Sequence, residues 1–212
     1  MSIYMQKEMV VVPMGASGAL EDIPTSPGLY AFYLSFISRR SLGLFQGESS
    51  SESEIDNAKS ILEKKFLRFL SLRKERRYQG KIRDASRHSH LSPSFSVGLD
   101  EYFSDAPLKS LLAMSGEIFL SAVDMIEDTL LLQPPVYVGI SVDQTLRDRC
   151  LQHRKDFDSS IDGGGFGARL KRMGFEWTDL VYVARASQVY GAELKEVEKS
   201  IQLLINPILS LR

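Results

Sequence analysis

Two short apolar stretches decide the fold of this chain: Gly28-Leu29-Tyr30-Ala31-Phe32-Tyr33-Leu34 and Val136-Tyr137-Val138-Gly139-Ile140. Each stretch directly follows a proline and is rich in aromatic and aliphatic residues, which favours a β-strand. Two further strands are predicted at residues 8–13, where Pro13 would lie at a sheet edge, and at residues 179–185. The chain is therefore expected to contain a β-sheet built from short strands.

Apolar residues at helical spacing predict helices at residues 54–78, 107–131, 143–156 and 192–205. Residues 15–28, 43–53 and 79–105 carry Gly, Ser, Pro and Asp and are predicted to be irregular, and the glycine run at residues 163–167 is predicted to be a flexible connection. Removing residues 36–133 leaves the order strand, strand, helix, strand, helix, which is typical of a small α/β sandwich.

Composition places the chain among globular proteins. It has 212 residues, of which 43% are hydrophobic and 25% are charged, enough for one or two compact units. The only cysteine, Cys150, excludes an internal disulfide framework and suits a reducing compartment. No apolar run reaches the roughly 18 residues of a membrane span, and the N-terminus does not read as a signal segment. A cytoplasmic protein is expected.

The charge of the chain is segregated. The net charge is −1 and the pI about 6.3, but residues 63–87 contain ten Lys or Arg against three acids. Such a segment can neutralise several backbone phosphates of DNA, so DNA contact is predicted here for Lys64, Lys65, Arg68, Arg73, Lys74, Arg76, Arg77, Lys81 and Arg83. The alternative is a solvated helix face balanced by the acidic stretch at residues 100–128.

An ordered set of polar and aromatic residues runs through the chain: Tyr30, Tyr137, Arg149, His153 and Glu198. Arg149 lies three residues after a leucine and four before His153, so the arginine and the histidine share a helix face. Glu198 lies nine residues before a proline. On these residues the chain resembles the GIY-YIG nuclease family, over residues 30–35 and 136–212.

The resemblance implies an α+β fold, with a small three-stranded antiparallel sheet flanked by helices. Residues 1–35 and 134–212 would form the catalytic domain. Residues 36–133 would be a mainly helical insertion, a candidate DNA-contact or specificity subdomain. In the family the two tyrosine strands form a close hairpin, whereas 106 residues separate Tyr30 from Tyr137 here.

The resemblance also implies roles. Tyr30 would help to deprotonate the attacking water, which needs a nearby cation because a phenol has a pKa near 10. Tyr137 would position water or phosphate, and Arg149 would stabilise charge on the phosphate. His153 would orient the nucleophile or contact phosphate. Glu198 would be the sole protein ligand of Mg²⁺ or Mn²⁺.

Rival assignments remain open at several positions. Two extra residues after the Tyr137 strand make Arg147 a rival of Arg149, and Glu193 and Glu196 are rivals of Glu198. The tyrosines also have an ordinary reading as core aromatics.

The chain departs from the family at two further positions. A lysine is common in the family where Ile140 and Ser141 follow the second motif strand here, and an asparagine is usual where this chain has Ser210. Ser210 can still donate one hydrogen bond to phosphate. Arg169, Lys171 and Arg172 are predicted to replace the missing charge.

The function expected from the sequence is a metal-dependent DNA endonuclease, compatible with a restriction-type enzyme. One site cuts one strand, so cutting a duplex requires a homodimer or two successive events. The alternatives are a catalytically decayed nucleic-acid-binding protein, an enzyme acting on RNA, and a helical protein-interaction module.

Overall fold

The structure is a computed structural model that describes residues 9–45, 50–81, 94–100, 105–159, 163–187 and 191–205, with residues 207 and 209. In chain order the strands and α-helices are β1 (Met9–Pro13), β2 (Gly28–Leu34), α1 (Glu52–Lys74), β3 (Glu75–Lys81), β4 (Ser94–Asp100), α2 (Ala106–Leu112), α3 (Gly116–Asp128), β5 (Tyr137–Ser141), α4 (Leu146–Ser159), α5 (Phe166–Arg172), β6 (Leu180–Ala186) and α6 (Ala192–Ile205). Short 3-10 helices lie at Arg40–Leu42, Leu130–Leu132 and Trp177–Asp179.

The main sheet is antiparallel and has the strand order β1-β6-β2-β5. The α+β class is confirmed, but the sheet has four strands rather than three. The difference arises because β1 pairs with β6 from Met9, opposite Arg185, to Pro13, opposite Val181. The predicted position of Pro13 at a sheet edge is confirmed, since β1 is an outer strand.

The insertion contains a hairpin where an irregular segment was expected. The first predicted helix ends at Lys74, and β3 then pairs with β4 in a separate two-stranded antiparallel sheet. The signal for this hairpin is present in the sequence, because Phe95, Val97 and Leu99 alternate with small residues at the period of a strand. The helix predicted at residues 107–131 is instead α2 and α3, and Gly116 is the first residue of the second.

Three apolar clusters hold the elements together. The largest joins the sheet face carrying Tyr30 and Phe32 to α4 and α5. The second lies inside the insertion and includes Leu62 and Phe119. The third packs Leu130 against the opposite sheet face. The insertion therefore contributes to the covering of the sheet as well as possessing a core of its own.

Helix α1 also joins the insertion to the main cluster. Phe66 and Phe69 both pack against Phe36, with the ring centroids of Phe69 and Phe36 5.2 Å apart. Both aromatic side chains therefore anchor α1 in the main cluster. Among the described helices, none combines the length and the apolar character that crossing a membrane requires.

Candidate functional site

The sheet brings the two motif tyrosines together. In the β2–β5 pairing, Tyr30 lies opposite Gly139 and Phe32 lies opposite Tyr137, which puts both tyrosines on one face. Their ring centroids are 6.1 Å apart. The 106 intervening residues thus leave the strand pairing intact, as expected if the insertion begins and ends beside the sheet.

Steric crowding explains why glycine occupies positions 28 and 139 in the two motif strands. A Cβ at Gly139 would lie 2.5 Å from the Tyr30 hydroxyl and 3.0 Å from the Tyr137 ring. A Cβ at Gly28 would lie 2.2 Å from the carbonyl oxygen of Arg185 in β6. Both separations are too short for any side chain, so these glycines allow β5 to approach Tyr30 and β2 to approach β6.

Helix α4 presents two partners to the Tyr30 hydroxyl. The Tyr30 Oη is 2.7 Å from His153 Nε2 and 3.2 Å from Arg149 Nε. Tyr30 is only 1% exposed, and His153 is buried beside it. Since the guanidinium can only donate, the Tyr30 oxygen accepts from Arg149. In the His153 tautomer that carries its proton on Nδ1, Nε2 accepts the Tyr30 proton.

Burial controls the protonation of this group. It raises the pKa of Tyr30 well above its ordinary value, more strongly than the Arg149 charge lowers it. Burial also lowers the pKa of His153 to about 3, and the charges of Arg149 and Arg169 act in the same direction. At neutral pH Tyr30 therefore keeps its proton and His153 is uncharged. The nearby cation that the expected role of Tyr30 requires is present as Arg149, but its charge does not make Tyr30 a phenolate.

The two candidate arginines of α4 have different surroundings. Arg149 lies between Tyr30 and Gln152, whose Oε1 accepts from its Nη1 at 2.8 Å. Arg147 instead donates to the backbone carbonyl oxygens of Glu21 and Ile23, at 2.7 and 3.1 Å. The structure thus places Arg149 in the candidate site, while Arg147 fastens the loop before β2.

Glu198 reaches the site from α6 and is fixed against the edge of β5. Gln202 Nε2 donates to Glu198 Oε1 at 3.1 Å and contacts the Val138 carbonyl oxygen at 3.4 Å. The backbone N–H of Ile140 donates to the same carboxylate. Burial raises the pKa of Glu198, and the Arg149 charge opposes this effect. The carboxylate is half-buried and oriented by the outer strand.

These residues border one open cleft of about 410 Å³. Tyr30, Tyr137, Arg149 and Glu198 all line it, whereas His153 lies behind Tyr30. The cleft is also lined by residues that sequence reasoning missed, namely Asp143, Gln144, Lys195 and Lys199. The two lysines were identifiable in principle, because they lie three residues before and one residue after Glu198 on the same helix.

A second cavity, of about 230 Å³, lies elsewhere on the main sheet and is lined by Val181 and Leu130 among others. None of the candidate catalytic residues borders it.

The donor set bears on the expected metal. Within the described segments, no group of three or more His, Cys, Asp or Glu side chains is arranged to hold a metal ion. Glu198 is instead an oriented carboxylate at an open cleft, which Asp143 also lines. That arrangement fits Mg²⁺, which keeps several waters and uses one or two carboxylates together with substrate phosphate oxygens. A closed zinc site would need more nitrogen or sulfur ligands.

Comparisons of this chain with protein-family models, with curated proteins and with solved structures find no match. The case for a function consequently rests on the geometry of the cleft and on the chemistry of its residues.

The predicted DNA-contact residues of α1 divide into two groups. Lys64 is exposed. Lys65 instead pairs with the buried Asp179 and donates to the Ser41 carbonyl oxygen at 2.9 Å. Arg68 donates to the carbonyl oxygen of Gly174. Lys65 and Arg68 thus link the insertion to the part of the chain that carries the main sheet.

The other basic residues of this segment are less fully described. Arg73 and Lys74 lie in the last turn of α1, and Arg76, Arg77 and Lys81 lie on β3, but their side chains are outside the described part. Arg83 and Ser210 lie wholly outside the described residues.

Two of the basic residues after the glycine run donate hydrogen bonds to backbone carbonyl oxygens of the protein. Arg169 donates to the Leu209 carbonyl oxygen, and Arg172 donates to that of Gly163, both at 2.8 Å. The Lys171 ammonium lies 5.6 Å from the centroid of the Phe157 ring. None of the three lines the cleft. Lys195 and Lys199, by contrast, line the cleft together with Ile140.

Proposed function

We propose that this protein is a metal-dependent endonuclease that hydrolyses phosphodiester bonds of DNA in the cleft between α4 and α6. The observation that carries the proposal is the convergence of Tyr30, His153, Arg149 and Glu198 around one cleft from three separate elements. A cation, a positioned hydroxyl with a neighbouring histidine, and an oriented carboxylate are groups that can act together in the hydrolysis of a phosphodiester.

In the proposed reaction, the attacking water is placed at the Tyr30 hydroxyl. The water oxygen forms a bond to phosphorus as its proton passes to Tyr30 Oη. The tyrosine proton passes in turn to His153 Nε2 along the existing 2.7 Å hydrogen bond. The bond from phosphorus to the 3′ oxygen breaks, and that oxygen takes a proton from solvent. The products are a 5′-phosphate and a 3′-hydroxyl.

Charge on the phosphate is stabilised from two sides. Arg149 donates its remaining N–H groups to the non-bridging oxygens, since Nε and Nη1 already serve Tyr30 and Gln152. A divalent ion held by Glu198, when bound, supplies positive charge at the phosphate and at the leaving oxygen. Tyr137 borders the same cleft and positions the water or the phosphate.

DNA outside the cleft is proposed to contact the insertion. The exposed Lys64 of α1 is the described residue best placed for this role, because Lys65 and Arg68 already have protein partners. One cleft cuts one strand, so two subunits or two events are needed to sever a duplex.

The proposal is tested on supercoiled plasmid with Mg²⁺, with excess chelator, and with Glu198→Ala. Nicked or linear plasmid, lost both with chelator and in the variant, is the expected result. Glu193→Ala is the matched control, because Glu193 is an exposed carboxylate on the same helix outside the cleft.

Retardation of DNA without cutting, across several divalent metals, would instead identify a catalytically decayed binder. Cleavage of RNA but not of DNA would reassign the substrate. A protein that neither binds nor cuts nucleic acid would refute the proposal. That result would favour an interaction role for the insertion.

A further inference from the structure

Helix α6 gives the cleft two lysines as well as the carboxylate. Lys195, Glu198 and Lys199 line it together, at the spacing that places residues on one helix face. The cationic side chains of the cleft are therefore Arg149 on one wall and these two lysines on the other. An anionic ligand that enters the cleft meets positive charge from both helices.

The three cations differ in how far they are already engaged. Arg149 donates to Tyr30 and to Gln152. The Lys199 ammonium pairs with the Glu196 carboxylate at 2.6 Å. Lys195 is exposed and forms no ion pair within the described residues. Of the two lysines of the cleft, Lys195 is thus the one whose ammonium no described residue holds in an ion pair.

The direction of the helix locates this charge relative to the reacting phosphate. Lys195 precedes Glu198 by three residues, about 4.5 Å along the axis at 1.5 Å per residue. Both side chains tilt toward the helix N-terminus. Because the lysine side chain is longer than the glutamate side chain, the Lys195 ammonium extends further from the carboxylate. The offset is of the order of one nucleotide of strand, about 3.4 Å of rise.

We propose that Lys195 binds the backbone phosphate next to the scissile phosphate and so holds the strand in register in the cleft. This inference rests on the proposed function, because the ligand is the DNA strand being cut. Lys195 would be a positioning residue, which binds the substrate with the same strength in the ground state and in the transition state.

The test uses the full-length protein and a short DNA duplex, with affinity measured in chelator at several salt concentrations. Removing one phosphate contact should lower the slope of log K against log salt by about 0.9. Lys195→Ala should show that change and bind roughly two- to fivefold more weakly, as expected for one exposed charge contact. Lys195→Arg should restore both values. Lys155→Ala is the control, since Lys155 is an exposed lysine on α4 that does not line the cleft.

Steady-state cleavage with Mg²⁺ supplies a second readout. Lys195→Ala should raise KM by a similar factor and leave kcat within about twofold, the signature of lost uniform binding. A fall in kcat with KM unchanged would overturn the assignment to the neighbouring phosphate.

Identical salt slopes and affinities for Lys195→Ala and Lys155→Ala, in a protein that still cuts DNA, would overturn this inference alone. A wild-type protein that neither binds nor cuts DNA would overturn both this inference and the proposed function.

Discussion

Replacing Lys65 with methionine is expected to destabilise the protein and leave its DNA affinity intact, whereas Lys64→Met is expected to do the reverse. The two lysines are adjacent in α1, but Lys65 is 18% exposed and pairs with Asp179, which is 1% exposed. Methionine keeps an unbranched apolar side chain at position 65 and removes the ammonium. The substitution therefore leaves the Asp179 carboxylate buried without its cation.

The size of the effect follows from the geometry of this pair. Removing one partner of a buried ion pair costs about 3–5 kcal/mol. The value here should lie near the lower end, about 3 kcal/mol, because Asp179 keeps a hydrogen bond at 3.0 Å from the Glu176 N–H and Lys65 is partly exposed. For a chain of this size, that corresponds to a fall in Tm of roughly 6–12 °C.

Urea and thermal unfolding measure stability, and the salt dependence of binding to a DNA duplex measures phosphate contact. Lys64→Met should unfold within about 0.5 kcal/mol of wild type and lower the salt slope by about 0.9. Adding Asp179→Asn to Lys65→Met should recover part of the lost stability, since it removes the unpaired buried charge. A Tm within 2 °C of wild type for Lys65→Met, or a salt slope reduced as in Lys64→Met, would refute this reasoning.

Two further predictions concern the candidate site itself. Gly139→Ala places a methyl group 2.5 Å from the Tyr30 hydroxyl. It should lower the free energy of unfolding by about 1–3 kcal/mol through overpacking and abolish cleavage by displacing Tyr30. The control Gly164→Ala, with nothing within 4 Å of its Cβ, should match wild type in unfolding and cleavage. Equal cleavage by both variants would contradict the steric argument. The pKa of His153 is lowered to about 3 in the folded protein, so the unfolded chain binds the proton more tightly. The stability that comes from the neutral ring is therefore complete above about pH 6.5 and is lost as the pH falls toward 3. Between pH 7 and 4.5 the wild type should lose about 2 kcal/mol more than His153→Gln in urea unfolding; equal losses would show that the ring is not held neutral by the fold.

Much of the fold was predictable because its signals are local. Alternation and flanking prolines locate β2 and β5, and helical spacing predicts the bounds of α6, which the structure confirms at Ala192–Ile205. The convergence of the candidate catalytic residues was expected from the family resemblance of the motif residues. The place of β1 as a fourth strand of this sheet was not predictable. The sequence pattern of a strand indicates the strand itself but not the neighbour with which it pairs.

The use of the basic residues could not be read from the sequence. Lys65 finds its carboxylate 114 residues away in Asp179, and Arg169 finds its acceptor 40 residues away in Leu209. Charge density along the chain is the same for a solvated lysine as for one that ties two units together. Only the tertiary partner distinguishes the two cases. Two residues expected to bind DNA, Lys65 and Arg169, therefore form contacts within the fold, whereas Lys195 was not among the residues that the sequence singled out.

The protonation of the Tyr30 group makes the proposed chemistry depend on the substrate. In the free protein, burial keeps Tyr30 protonated and makes His153 a very weak base, and the Arg149 charge lowers the pKa of His153 further. A phosphodiester bound at Arg149 brings negative charge into the cleft and offsets that guanidinium, which raises the basicity of His153. The acceptor for the water proton would then strengthen only when the substrate phosphate is present. Under the proposed function, water would be activated more strongly beside bound DNA than in the empty cleft, although burial, the larger cause of the lowered pKa of His153, acts in both states.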